Sequence, residues 1–146
     1  MAKEHPNISV LQKFDPTNIA GSADVLAEDA VFHYFNPLLP DIQGDYVGLK
    51  GFQAFFDKIG ELTEGTFKVN QISATAIGDE LVVVHTNNTM ILENQQIDID
   101  VVVVWRIVDG CITEGWDIPS VYTLRDKTDG PILQSEPTGG SPPWPI

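Results

Sequence analysis

The chain has 146 residues, enough for one domain with a substantial core and too few for two. Eight Lys and Arg stand against 21 Asp and Glu, a formal charge of −13 that argues against nucleic acid and anionic membrane surfaces as partners, since neither polyanion finds a basic patch. Cys111 is the single cysteine, which excludes an intrachain disulfide and a cysteine metal site within these residues.

The opening Met1-Ala2-Lys3-Glu4-His5-Pro6 has no apolar core of signal-peptide length, and no apolar run approaches the roughly 20 residues of a membrane-spanning helix. A cytoplasmic location is therefore expected. Asn7 is placed to cap a short helix with Ile8, Leu11 and Phe14 on one face. Asp15-Pro16 ends that helix and starts a second, carrying Ile19, Ala23, Leu26 and Ala27 and finishing at Glu28-Asp29. Gly21 and Ser22 in its middle are points where it can split.

Val31–Phe35 reads as a first strand, stopped by Asn36-Pro37. The loop from Leu38 to Gly48 mixes turn residues with five large apolar ones, so it is expected to lie over something apolar, as a lid or pocket wall. Leu49, Phe52, Phe55, Phe56 and Ile59 recur at helical spacing and predict an amphipathic helix over Leu49–Leu62. Four long strands follow, at Phe67–Ile77, Leu81–Leu92, Ile97–Val108 and Cys111 to about Leu124. Helices first and strands afterwards imply an α+β fold, with a meandering sheet covered on one side. From Asp126 the chain turns Pro- and Gly-rich, so residues 1–125 are expected to form the domain and 126–146 a tail. That tail carries Ile132, Leu133, Trp144 and Ile146, which suits either a loose end or a segment packed over a groove or a second subunit.

This order resembles the nuclear-transport-factor-2-like superfamily, and within it the SnoaL-like polyketide cyclases. The residues that carry the resemblance are Leu26-Ala27-Glu28-Asp29-Ala30-Val31-Phe32, then Gly48-Leu49-Lys50-Gly51-Phe52 with Phe55-Phe56, and finally Val104–Gly110 with Glu114-Gly115-Trp116-Asp117. The resemblance implies a curved mixed or antiparallel sheet wrapped around helices to form a conical pocket, with homodimers paired through the outer sheet face. It does not imply one reaction, because such proteins include cyclases, isomerases, dehydratases, epoxide hydrolases and plain binding modules.

Asp117 is the leading candidate for acid–base chemistry. A carboxyl group among valines and a tryptophan has its charged form disfavoured, which moves its pKa toward the range useful for proton transfer. The resemblance also puts the family's acid or base at this position on the last strand. Whether Asp117 faces the pocket depends on register. A two-residue Asp109-Gly110 turn sets Trp105 opposite Glu114, whereas a three-residue Val108-Asp109-Gly110 loop sets Trp105 opposite Thr113 and Val101 opposite Asp117. The second is preferred. It gives an inner face of Val101, Val103, Trp105, Thr113, Gly115 and Asp117, and an outer face of Val102, Val104, Arg106, Ile112, Glu114 and Trp116 with Arg106 able to reach Glu114.

Tyr34, beside Phe32, offers a phenol that can donate to a substrate oxygen. His85 can carry a proton near neutral pH, and Asn87 shares its face of the middle strand; Thr86 and Asn88 occupy the other face, and the Glu93-Asn94-Gln95 turn does not decide which of the two faces lines the pocket. Phe32, Phe52, Phe56, Asn87, Val101, Val103, Trp105 and Thr113 complete the expected ligand contacts. In limonene epoxide hydrolase the acid works with an Arg and an Asp two apart on the middle strand; the matching positions here are His85 and Asn87, so that trio is not reproduced. The cyclases place polar residues, including a His, on the strand beside the acid, where this chain has Val101 and Val103. Three scattered histidines show no metal-ligand spacing, and neither a Walker loop nor GxGxxG follows a strand. The expectation is a cofactor-free isomerase, cyclase or hydrolase acting on a small apolar carbonyl compound with Asp117, Tyr34 and His85 as catalytic residues. The alternative is a binding or scaffolding module of the same fold.

Overall fold

In the computed structural model the described residues are 4–124. The expected tail from residue 126 lies outside them. Helix α1 (Pro6–Gln12) is followed by a 3₁₀ segment (Ala20–Val25), β1 (Leu26–Tyr34), a 3₁₀ turn (Pro40–Ile42), β2 (Gly44–Val47), α2 (Gly48–Leu62), β3 (Lys68–Ile77), β4 (Leu81–Leu92), β5 (Gln95–Val108) and β6 (Cys111–Pro119). The six strands form one curved sheet in the order β2-β1-β6-β5-β4-β3. β1 and β6 run parallel, and all other neighbours are antiparallel. The α+β class expected from the sequence is thus present, and of the mixed or antiparallel sheet that the resemblance implied, the mixed form is found.

The helices lie against the concave face. Phe52, Phe55 and Ile59 point inward from α2, each 2 % exposed or less, because they recur on one helical face. Across the sheet, burial alternates along β4 and β5, as it must where one face is packed and the other is not.

Several local expectations change. His5, not Asn7, caps α1: its Nδ1 accepts from the Asn7 backbone N–H at 3.1 Å, while the Asn7 side chain donates to the Asp79 carbonyl. The second helix is reduced to the 3₁₀ segment, and Leu26–Ala30 belongs to β1 instead. Gly21 and Ser22 give a helix little support, and the edge of β6 offers Leu26 a ladder partner in Ile112. The loop after β1 does bury Leu39, Ile42 and Tyr46, but it also contributes the edge strand β2. β6 stops at Pro119, short of Leu124.

The β5–β6 hairpin departs most usefully. Its turn is the two-residue Asp109-Gly110, with Val108 opposite Cys111 and φ of 52° and 79° at the turn residues. Both are left-handed, as a tight hairpin turn matching the strand twist requires. The pairing then shifts between Ile107↔Ile112 and Arg106↔Glu114, leaving Thr113 as an extra residue on β6. The Thr113 hydroxyl donates to the Arg106 carbonyl at 3.3 Å. One extra residue flips every side chain beyond it, so Trp105 pairs with Gly115, Val103 with Asp117 and Val101 with Pro119. Neither turn considered from the sequence gives this register. Ile112, expected outside, is fully buried.

Candidate functional site

Between the sheet and α2 lies a cavity of about 670 Å³. Its closed wall is aromatic. Phe32 stacks on Trp105 with centroids 5.7 Å apart, and Tyr34 meets Phe55 at 4.6 Å. Phe14, from the segment after α1, closes over Trp105 at 5.6 Å and Phe52 at 5.9 Å. Trp105 can lie flat because its partner is Gly115: a Cβ there would stand 2.5 Å from Cζ3 of Trp105 and 3.1 Å from Cδ1 of Phe32.

Asp117 reaches this cavity because the Thr113 bulge restores the parity that the two-residue turn reverses. Its ladder partners are Val103 on β5 and Tyr34 on β1. Burial raises its carboxyl pKa from the ordinary 3.8 to about 7, so proton and carboxylate are both populated near neutral pH. The residue is half-buried and borders both this cavity and a shallower groove on the other side of the sheet. Tyr34 is 6 % exposed. Burial first, and then the nearby Asp117 charge, raise its pKa, which keeps the phenol protonated. Its oxygen accepts from the Asn36 amide at 3.1 Å, so the hydroxyl proton remains free to donate into the cavity.

Of the other residues expected to meet a ligand, Phe32, Phe52, Phe56, Val101, Val103 and Trp105 line the cavity. His85, Asn87 and Thr113 do not. The β4–β5 turn is Glu93-Asn94, with Leu92 opposite Gln95, which fixes the parity of β4. His85 thereby falls on the outer face, where Nε2 lies 2.9 Å from Asp100 Oδ1, and the Asn87 amide donates to Asp98 at 2.6 Å. Thr113 is taken by the bulge. His33 is also outside, between Asp45 and Glu114 at 2.7 Å each.

The opposite face of β4 supplies what the sequence reading left undecided. Thr86 and Asn88 point into the cavity and are 5 % and 7 % exposed. Thr86 Oγ1 and Asn88 Oδ1 have no hydrogen-bond partner among the described residues. Leaving such groups unpartnered costs about 1–3 kcal/mol each, so their presence between Val84 and Met90 on this strand face requires a reason. Asn36, 3 % exposed, is not among the sequence candidates; its signal was the Tyr34-Phe35-Asn36 spacing, which puts both polar side chains on one side of the chain.

A family model for the SnoaL-like domain matches residues 9–115. The chain belongs to the SnoaL-like domain family. A search of curated protein sequences returned no match. Among solved structures, Bal32a from a soil-derived mobile gene cassette superposes with a TM-score of 0.70 at 21 % identity, covering 79 % of this chain and 89 % of that one. TerC, co-crystallised with polyporic acid, gives 0.66 at 21 % identity over 77 % and 90 % of the two chains. An NTF2-like protein from Burkholderia pseudomallei gives 0.66 at 19 % identity over 80 % and 90 %. At these identities the likeness establishes the fold, which is NTF2-like as the sequence resemblance implied. No helix among the described residues is long and apolar enough to cross a membrane.

Proposed function

We propose that this SnoaL-like protein is a cofactor-free acid–base enzyme acting on a small, largely apolar carbonyl compound. The observation that carries the reading is Asp117: a carboxyl with a pKa raised to about 7 by burial, on the wall of an aromatic-lined cavity and paired in register with Tyr34. With the substrate carbonyl accepting from the Tyr34 hydroxyl, the Asp117 carboxylate takes a proton from the adjacent carbon and, once protonated, returns it at another position. That sequence moves a proton without a metal or coenzyme and describes an isomerase or the first step of a cyclase. His85, on the outer face, takes no part in it. The test is α-proton exchange of 4-phenylcyclohexanone in D2O, followed by NMR. The wild type is expected to accelerate exchange and Asp117→Asn to abolish the acceleration while still folding cooperatively; undiminished exchange in the variant refutes the assignment.

A second reading, a non-catalytic binding module, is favoured by Val101 and Val103, which offer no further proton carrier beside Asp117. Tight binding of the same ketone with no exchange in the wild type selects it. Homodimerisation through the outer sheet face is part of the proposal, supported by a groove there flanked by Phe35 and Ile118, which are 56 % and 54 % exposed. Sedimentation of the wild type against Ile118→Lys measures it, and a monomeric wild type removes it.

A further inference from the structure

Along the inner face of β4 the side chains run Val82, Val84, Thr86, Asn88 and Met90, all buried. Two polar residues thus interrupt an apolar stripe. Their β5 partners are Val101 and Ile99, which offer no side-chain hydrogen bond, and on β3 they face Gln71 and Val69. Thr86 Oγ1 and Asn88 Oδ1 have no partner among the described residues although both border the cavity. Two residues apart on one strand face, they stand about 7 Å from each other, a gap that a single hydroxyl between the two side chains spans. Such a hydroxyl donates to the Asn88 carbonyl oxygen and accepts from the Thr86 hydroxyl, satisfying both at once.

We infer that Thr86 and Asn88 form a second polar subsite that takes a hydroxyl of the ligand, at the end of the cavity away from Asp117. The inference rests on the reading of Asp117 and Tyr34 as the end that takes the carbonyl. Register sets the spacing. Thr86 lies opposite Val101, one inward position along β5 from Val103, the partner of Asp117. Two strand spacings and two to four residues along β5 put the subsite roughly 12–16 Å from Asp117 between Cα atoms along the sheet. The side chains reach into the cavity from both ends, and with Tyr34, one strand beyond Asp117, holding the carbonyl, the two ligand oxygens stand on the order of 10 Å apart. The ligand class is therefore an elongated, ring-containing apolar molecule with a carbonyl at one end and a hydroxyl about 10 Å away. A single polar group would not use both ends. The subsite also gives discrimination, because an analogue lacking the hydroxyl offers neither protein group a partner.

The probe pair is 4-(4-hydroxyphenyl)cyclohexanone, whose two oxygens have this spacing, and 4-phenylcyclohexanone, which lacks the hydroxyl. Calorimetric titration of the wild type is expected to show the hydroxylated ketone binding about fivefold or more tightly, the value of one well-made hydrogen bond. Thr86→Val keeps the shape and removes the hydroxyl, and Asn88→Leu removes the amide. Each is expected to erase the preference while still binding the unsubstituted ketone. Should Asn88→Leu not fold, the shape-conserving Thr86→Val decides alone. Asp117→Asn is expected to keep the preference, since it acts at the other end. Equal binding of the two ketones by the wild type overturns the subsite and leaves the pocket reading standing, as does a preference that survives Thr86→Val. If neither ketone binds, the pocket reading itself fails and this inference with it.

Discussion

Replacing Asp117 with Asn should stabilise the protein, and by an amount that depends on pH. In the unfolded chain the carboxyl ionises at its ordinary 3.8, whereas burial raises the folded value to about 7. The sign follows from proton binding: between these limits the folded state holds a proton that the unfolded state has released. The stability supplied by the neutral acid is therefore fully present below pH 3.8 and is lost as pH rises through 7. At about 1.4 kcal/mol per pH unit the upper bound of the loss is about 4 kcal/mol. Water entering the cavity softens the desolvation, and about 2 kcal/mol is a realistic expectation. Asn is neutral throughout and escapes the penalty. In a domain of this size, 2 kcal/mol corresponds to roughly 4–8 °C in Tm. Urea unfolding of the two proteins from pH 4 to pH 8.5 should show nearly equal stabilities at pH 4, a variant that gains steadily toward pH 7, and a constant gap above it. A gap that does not change with pH would falsify the buried-acid account, because it would mean that Asp117 ionises alike in both states.

Gly115→Ala places a methyl group into the ring of Trp105, so a loss of about 1–3 kcal/mol is expected, with a shift in tryptophan fluorescence as the ring is displaced. An unchanged spectrum and midpoint would show that the wall is looser than its geometry. On the outer face, burial pulls the His33 pKa down, but its hydrogen bonds to Glu114 and Asp45 and their charges prevail and raise it. The charged imidazole thus stabilises the fold below about 6.5 and loses that effect as pH rises through the higher folded value. His33→Gln, compared with the wild type in an Asp117→Asn background, should flatten stability across that upper window; an unaltered slope there would remove His33 from the account.

Much of the fold was legible because its signals are local. The 3.6-residue spacing of Phe52, Phe55 and Ile59 and the alternation along β4 and β5 are written in adjacent residues, and both reappear as burial. The stretch Leu26–Ala30 was not legible: its composition suits a helix end, and only the parallel pairing with β6 makes it a strand. The site divides in the same way. The sequence by itself determined which residue types were available, namely one acid, a tyrosine and aromatics in an apolar setting, because those follow from identity and period.

Which of them meet was decided by tertiary pairing. A hairpin turn sets strand parity, and a single bulge reverses it. The two-residue Glu93-Asn94 turn sends Thr86 and Asn88 inward and His85 and Asn87 outward. On β6 the Asp109-Gly110 turn alone would turn Asp117 away from Trp105, and the extra residue at Thr113 brings it back. A bulge is fixed by how the whole β5–β6 ladder packs against its neighbours, and no residue in the hairpin announces it beforehand. The acid was therefore visible in the sequence, and its place inside the cavity was not.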